Sequence, residues 1–138
     1  MKLQWITKRR PSHTDNVADV TISVAKKGAY KNGRERKRAI MYFRNNCDKC
    51  FSKNGYLTFA LTSDKIYFTE ADDKAGFKLS RKSVTSTTAA INVSLDEQEN
   101  GFDLKRSNSW IGDYNLEFDS VEKLWCINIA NRIKSINQ

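Results

Sequence analysis

Short runs in which apolar and polar side chains alternate dominate this chain, and they leave few folds open to it. A period of two puts every second side chain on one face of an extended strand, so each run buries one face and wets the other. Val17–Ala25 sets Val20, Ile22 and Val24 on one side and Thr21 and Ser23 on the other. Arg38–Arg44 sets Ile40 and Tyr42 against Met41 and Phe43. Tyr56–Thr62 aligns Leu57, Phe59 and Leu61, and Lys65–Glu70 aligns Ile66 and Phe68 across the turn at Ser63-Asp64. Ala89–Leu95 aligns Ala89, Ile91 and Val93, while Tyr114–Phe118 and Lys123–Ile129 flank a turn at Ser120–Glu122. Helical spacing is confined to Asn45–Lys53, through Cys47, Cys50 and Phe51, and to Ala130–Asn137, next to Ile129, with Ile133 and Ile136. The expected fold is therefore α+β and mainly β, with short helices. A chain of 138 residues, 39% of them hydrophobic, closes one core.

The runs group into two hairpin-rich halves. Residues 1–16 read as a polar arm, residues 17–70 as a first half, residues 71–88 as a Ser/Thr-rich connector and residues 89–138 as a second half. The halves echo each other. NGYLTFALTSDKIYF and GDYNLEFDSVEKLWCI both start on a Gly-led aromatic strand and then turn through acidic residues. Lys65-Ile66-Tyr67 in one matches Lys123-Leu124-Trp125 in the other, and Ala39-Ile40 matches Ala90-Ile91, a pattern that points to an internal duplication.

Charge is distributed far less evenly than strands. Residues 1–50 carry 13 Lys and Arg against 4 Asp and Glu, a balance of +9, whereas residues 51–138 carry 11 against 12, a balance of −1. Most of the excess lies in KKGAYKNGRERKR, residues 26–38, between the first two strands. Lys26, Lys27, Lys31, Arg34, Arg36, Lys37 and Arg38, with Tyr30 among them, read as the cationic loop of a hairpin. Like charges at this density repel until phosphate neutralises them and releases its counterions; Tyr30 supplies a stacking surface for a base. Nucleic acid is thus the expected partner. A second basic patch comprises Lys8, Arg9 and Arg10 in the arm, and Lys78, Arg81 and Lys82 near Lys74. The alternative readings of the 26–38 run are a solvated loop that keeps an edge from pairing and a contact for an acidic protein surface, and that of Lys74–Lys82 is the wet side of the connector.

Catalytic chemistry is poorly supplied. His13 is the one histidine. Cys47 and Cys50 form C-D-K-C, half of a zinc site, but the other half would have to come from Cys126 and His13, and core packing explains the thiols more simply. Glu70, Asp72 and Asp73 cluster, as do Asp96, Glu97 and Glu99, so a metal-dependent nuclease is the enzymatic alternative to a non-catalytic binder. No metal or cofactor is expected. MKLQWITKRRP lacks the apolar run of a signal peptide, no stretch approaches bilayer length, and three cysteines do not make a disulfide framework. A cytoplasmic protein with no membrane partner is the expectation.

Strand, short helix and Gly-led hairpin, repeated twice, resemble the swapped-hairpin DNA-binding domains of the AbrB/MraZ type. The residues that carry the resemblance are Ala39-Ile40-Met41, the stretch Cys47–Lys53 and Asn54-Gly55-Tyr56-Leu57, then Ile91-Asn92-Val93 and Gly112-Asp113-Tyr114. It implies a homodimer or pseudo-dimer presenting basic residues to DNA. The expected function is non-catalytic nucleic-acid binding, DNA ahead of RNA. Abundant Lys, Asn, Ile, Ser and Thr suit a phage or mobile element. The alternative is accordingly a small protein that binds and inhibits a host nucleic-acid-handling complex, in the manner of an anti-defence protein.

Overall fold

The computed structural model describes residues 18–29, 35–95 and 104–133. It is mainly β, as expected: nine strands in two antiparallel sheets, with little helix among the described residues. In the first sheet β1 (Val20–Ala29) and β2 (Glu35–Phe43) form a central hairpin. It is flanked by β6 (Ala89–Ser94) beside β2 and β7 (Gly112–Tyr114) beside β1. The second sheet has the order β5-β3-β4-β9-β8, with β3 (Tyr56–Leu61), β4 (Lys65–Glu70), β5 (Phe77–Lys78), β8 (Glu117–Asp119) and β9 (Leu124–Asn128).

The alternation read from the sequence selects the inner faces. Val20 and Ile22, Ala39, Met41 and Phe43, Ile91 and Val93, and Tyr114 face inward from the first sheet. Leu57, Ile66, Phe68 and Ile127 face them from the second. Phe43 meets Phe68 edge-on with ring centroids 5.3 Å apart, and Phe51 stacks on Phe68 at 5.4 Å. Edge-to-face and offset stacking satisfy the ring quadrupoles while burying large apolar areas.

Each half of the sequence supplies strands to both sheets. The strands that the repeat equates also sit beside one another: β2 next to β6, and β4 next to β9, each pair antiparallel.

Four local expectations change. The strand expected over Tyr114–Phe118 is two strands in different sheets, β7 and β8, because the chain crosses over at Asn115-Leu116, where the Leu116 N–H donates to Asp19 Oδ2 at 2.9 Å. The helix over Asn45–Lys53 shrinks to a 3-10 turn, Cys47–Cys50, preceded by Asn45 and Asn46 in the left-handed region. Within the described residues the C-terminal helix is likewise one 3-10 turn, Ile129–Asn131, capped by the Asn128 side chain. The polar stretch before Gly112 ends in a short helix, α1 (Leu104–Ser109), which leads into the buried Trp110.

Gly112 is required where it stands. Its φ of 144° lies in the glycine region, and a Cβ there would come within 2.8 Å of the Arg132 side chain. That approach lets Arg132 Nε donate to Tyr114 Oη at 3.1 Å, while Tyr114 Oη donates to the Trp110 carbonyl at 2.7 Å. Among the described residues no helix is long and apolar enough to cross a membrane. Replacing Phe43 with Ala removes the ring that spans the two sheets. The expected cost is about 3–5 kcal/mol, read as a lower urea midpoint at unchanged m-value.

Candidate nucleic-acid interface

The basic run is less of a loop than its charge suggests. Lys26 lies in β1 opposite Lys37 in β2, Ala25 lies opposite Arg38, and pairing continues to Ala29 opposite Glu35. Lys27 and Arg36 are also strand residues. Repulsion among cations and their modest strand preference argue for a loop, yet the ladder propagates through them from the paired core. The loop expected over residues 26–38 is thereby corrected: both of its ends are strand. Tyr30, Lys31 and Arg34 lie outside the described residues, as do Lys8, Arg9, Arg10 and His13.

The neighbouring strands stop early. β7 pairs with β1 only from Val20 to Ile22, and β6 pairs with β2 no further than Arg38 opposite Ser94, with the Leu95 N–H reaching the Lys37 carbonyl at 3.1 Å. Past that point β1 and β2 continue as a two-stranded ribbon with no further strand beside them among the described residues. Between Lys26 and Ala29 the register shifts, because β1 advances three residues while β2 advances two from Lys37 to Glu35. Such a bulge bends the strand and increases its right-handed twist. Gly28 falls inside it, where the missing side chain eases the irregularity.

The second basic patch divides. Lys78 on β5 and Lys82 are exposed. Arg81 is not a free cation: its Nη2 donates to Asp48 Oδ2 at 2.5 Å, and its Nη1 donates to the Ser86 carbonyl at 3.1 Å and to Asn46 Oδ1 at 3.5 Å. Asp48 is only 2% exposed, and its other carboxylate oxygen has no protein partner. The guanidinium therefore offsets a buried negative charge, an electrostatic task distinct from meeting phosphate. The pair lines a cleft of about 430 Å³ with Lys49, Lys53, Gly55 and Leu79.

The acidic cluster at Glu70 and Asp72 serves the backbone. Glu70 Oε2 accepts from the N–H groups of Lys53 and Asn54, and Asp72 Oδ1 accepts from those of Lys74 and Ala75 at 3.1 and 2.8 Å. Asp96, Glu97 and Glu99 lie outside the described residues. Cys47 donates to the Asp19 carbonyl at 3.3 Å, and burial, with Asp19 and Asp48 nearby, pushes its thiol up to about 12. Among the described residues no group of three or more His, Cys, Asp and Glu side chains is placed to hold a metal ion.

One ionic cluster had no signal in the sequence. Asp119 Oδ2 accepts from Tyr67 Oη at 2.8 Å and from Lys65 Nζ at 3.2 Å, fastening β8 to β4 across β9. The Tyr67 hydrogen bond first, then backbone N–H groups and Lys65, hold the Asp119 carboxyl well below its ordinary range. Lys65 and Tyr67 are raised by the same hydrogen bonds. Neither a protein-family model, nor a curated protein, nor a solved structure matches the chain.

Two measurements follow from these pKa directions. A carboxyl depressed in the folded state stabilises it above the unfolded pKa, and that contribution is lost as pH falls through the folded pKa. Urea unfolding of the wild type should therefore weaken with acidification below about pH 4 by more than that of Asp119→Asn. At pH 8 a thiol reagent should modify exposed Cys50 promptly, while buried Cys47, with almost no thiolate, should react only on unfolding; mass spectrometry distinguishes the sites.

Proposed function

We propose that this protein binds nucleic acid without cleaving it, through the basic ribbon of β1 and β2. The observation that carries the reading is the continuation of these two strands past both neighbours through Lys26, Lys27, Arg36 and Lys37, with Tyr30, Lys31 and Arg34 following in sequence. A two-stranded ribbon is narrow enough for the major groove of B-form DNA, whereas the A-form groove of duplex RNA is too narrow to admit it. DNA is therefore the favoured duplex, which is also what the AbrB/MraZ-type resemblance implies. The local balance of +9 over residues 1–50 supplies the field that draws in phosphate.

A second reading, a phage or mobile-element protein that inhibits a host nucleic-acid-handling complex, is favoured by a different observation. Phe118 is 52% exposed on the edge strand β8 and Val121 projects from the adjoining turn, an apolar pair suited to a protein surface.

Binding of a labelled DNA duplex, followed by fluorescence anisotropy across a salt series, separates the two. On the first reading log K falls linearly with log salt. The triple variant Lys26→Glu, Lys27→Glu, Lys37→Glu then loses about 0.9 of slope for each phosphate contact removed. A folded triple variant that binds like wild type overturns the ribbon assignment. A wild-type protein that ignores duplex and single strands alike directs the function to the protein-partner reading.

A further inference from the structure

The alternation that sends Ala39, Met41 and Phe43 into the core sends Arg38, Ile40 and Tyr42 to the outer face of the four-stranded sheet. Their cross-strand neighbours are all small or polar. Arg38 lies between Ala25 and Ser94, Ile40 between Ser23 and Asn92, and Tyr42 between Thr21 and Ala90. Residues directly opposite in a sheet have Cβ atoms about 5 Å apart, so Tyr42 stands between two small partners, with the Arg44 side chain reaching across to one of them, Thr21. Tyr42 and Arg38 are partly buried, and Asn92 is exposed on the edge strand.

Cations stand at both ends of this row. Arg38 lies at the foot of the basic ribbon. Arg44 follows Phe43 at the other end, about 20 Å away at strand rise, and donates through Nη1 to Thr21 Oγ1, which in turn donates to Asp113 Oδ1 at 2.5 Å. An aromatic ring beside Ile40, between two arginines on the outer face of a sheet, is complementary to unpaired nucleotides. Their bases expose π-faces for stacking, and their phosphates run on either side. A duplex hides those faces, so this surface and the ribbon favour different parts of a nucleic acid.

We infer that the outer face of the four-stranded sheet is a platform for an unpaired strand emerging from the duplex held by the ribbon, with Tyr42 stacking on a base and Arg38 and Arg44 holding phosphates. The inference rests on the nucleic-acid-binding reading and adds a second contact surface to it. Its ligand is a paired-to-unpaired junction.

The test compares a blunt duplex with the same duplex carrying a single-stranded DNA or RNA tail, using wild type, Tyr42→Ala and Tyr42→Phe. The tail should tighten wild-type binding roughly tenfold, the size expected of one stacked base. Tyr42→Ala should lose that increment and keep its blunt-duplex affinity, whereas Tyr42→Phe should retain both. Ultraviolet crosslinking of the tailed ligand to wild type should map by mass spectrometry to Tyr42, a readout that does not depend on a variant folding. DNA and RNA tails of equal effect leave the platform indifferent to the 2′-hydroxyl; unequal effects identify the sugar it accepts, and either supports the inference. If the blunt duplex binds but the tail adds nothing, or the crosslink falls elsewhere, the platform is wrong while the ribbon reading stands. If neither ligand binds, the ribbon reading itself fails.

Discussion

Phe43 against Phe68 is the contact on which the two-sheet arrangement depends. One ring belongs to the central hairpin of the first sheet and the other to the middle of the second, and Phe51 closes on both from the turn that joins them. The chain passes from one sheet to the other after β2, after β5 and after β7. With those rings together, Met41, Ile91 and Tyr114 on one side and Leu57, Ile66 and Ile127 on the other have a surface to bury against. The ribbon is an outgrowth of the same packing, since its two strands start from the stretch where Val20, Ile22, Ala39 and Met41 are buried.

Some cations of this chain have partners within the fold. Arg81 answers the buried Asp48, Lys65 answers Asp119, and Arg132 reaches Tyr114 and the Ser109 carbonyl. These cations are spread through the second part of the chain, where acids and bases nearly balance. The ribbon holds Lys26, Lys27, Arg36, Lys37 and Arg38 with Glu35 as the only acid between residues 26 and 38. Position in the fold, more than residue type, therefore decides which cations can meet an outside anion.

Much of this was legible in the sequence, because alternation is a local property and burial follows it. β4 falls on Lys65–Glu70 as expected, and the inward faces of β1 and β6 are the ones their apolar residues mark, whereas β2 is apolar on both faces and its inward side, Met41 and Phe43, was not marked. What escaped was set by distant partners. Tyr114–Phe118 alternates well enough to look like one strand, and the break at Asn115-Leu116 involves a partner, the Asp19 side chain, that is far away in sequence. Arg81 looked like a member of a surface patch because nothing in its own neighbourhood points to Asp48. The basic run looked like a loop because charge density masks a ladder that extends from the core. On the candidate platform, the parity of Ile40 and Tyr42 was readable. The small residues around them became apparent only with the pairing register.

The pairing of β7 with β1 joins Thr21 to Asp113, nearly the whole described length of the chain apart. Both neighbours of the central hairpin are made after the second sheet's first hairpin, so a nascent chain holds β1 and β2 with an apolar face uncovered while the following strands are still being synthesised. Contacts this remote are slow to form, since the entropy of closing large loops must be overcome before they add stability. The segment from Trp110 to Tyr114 closes one edge of the first sheet only after that sheet's other strands have been synthesised. Until it docks, the exposed inner face makes the protein a candidate for chaperone capture during its own synthesis.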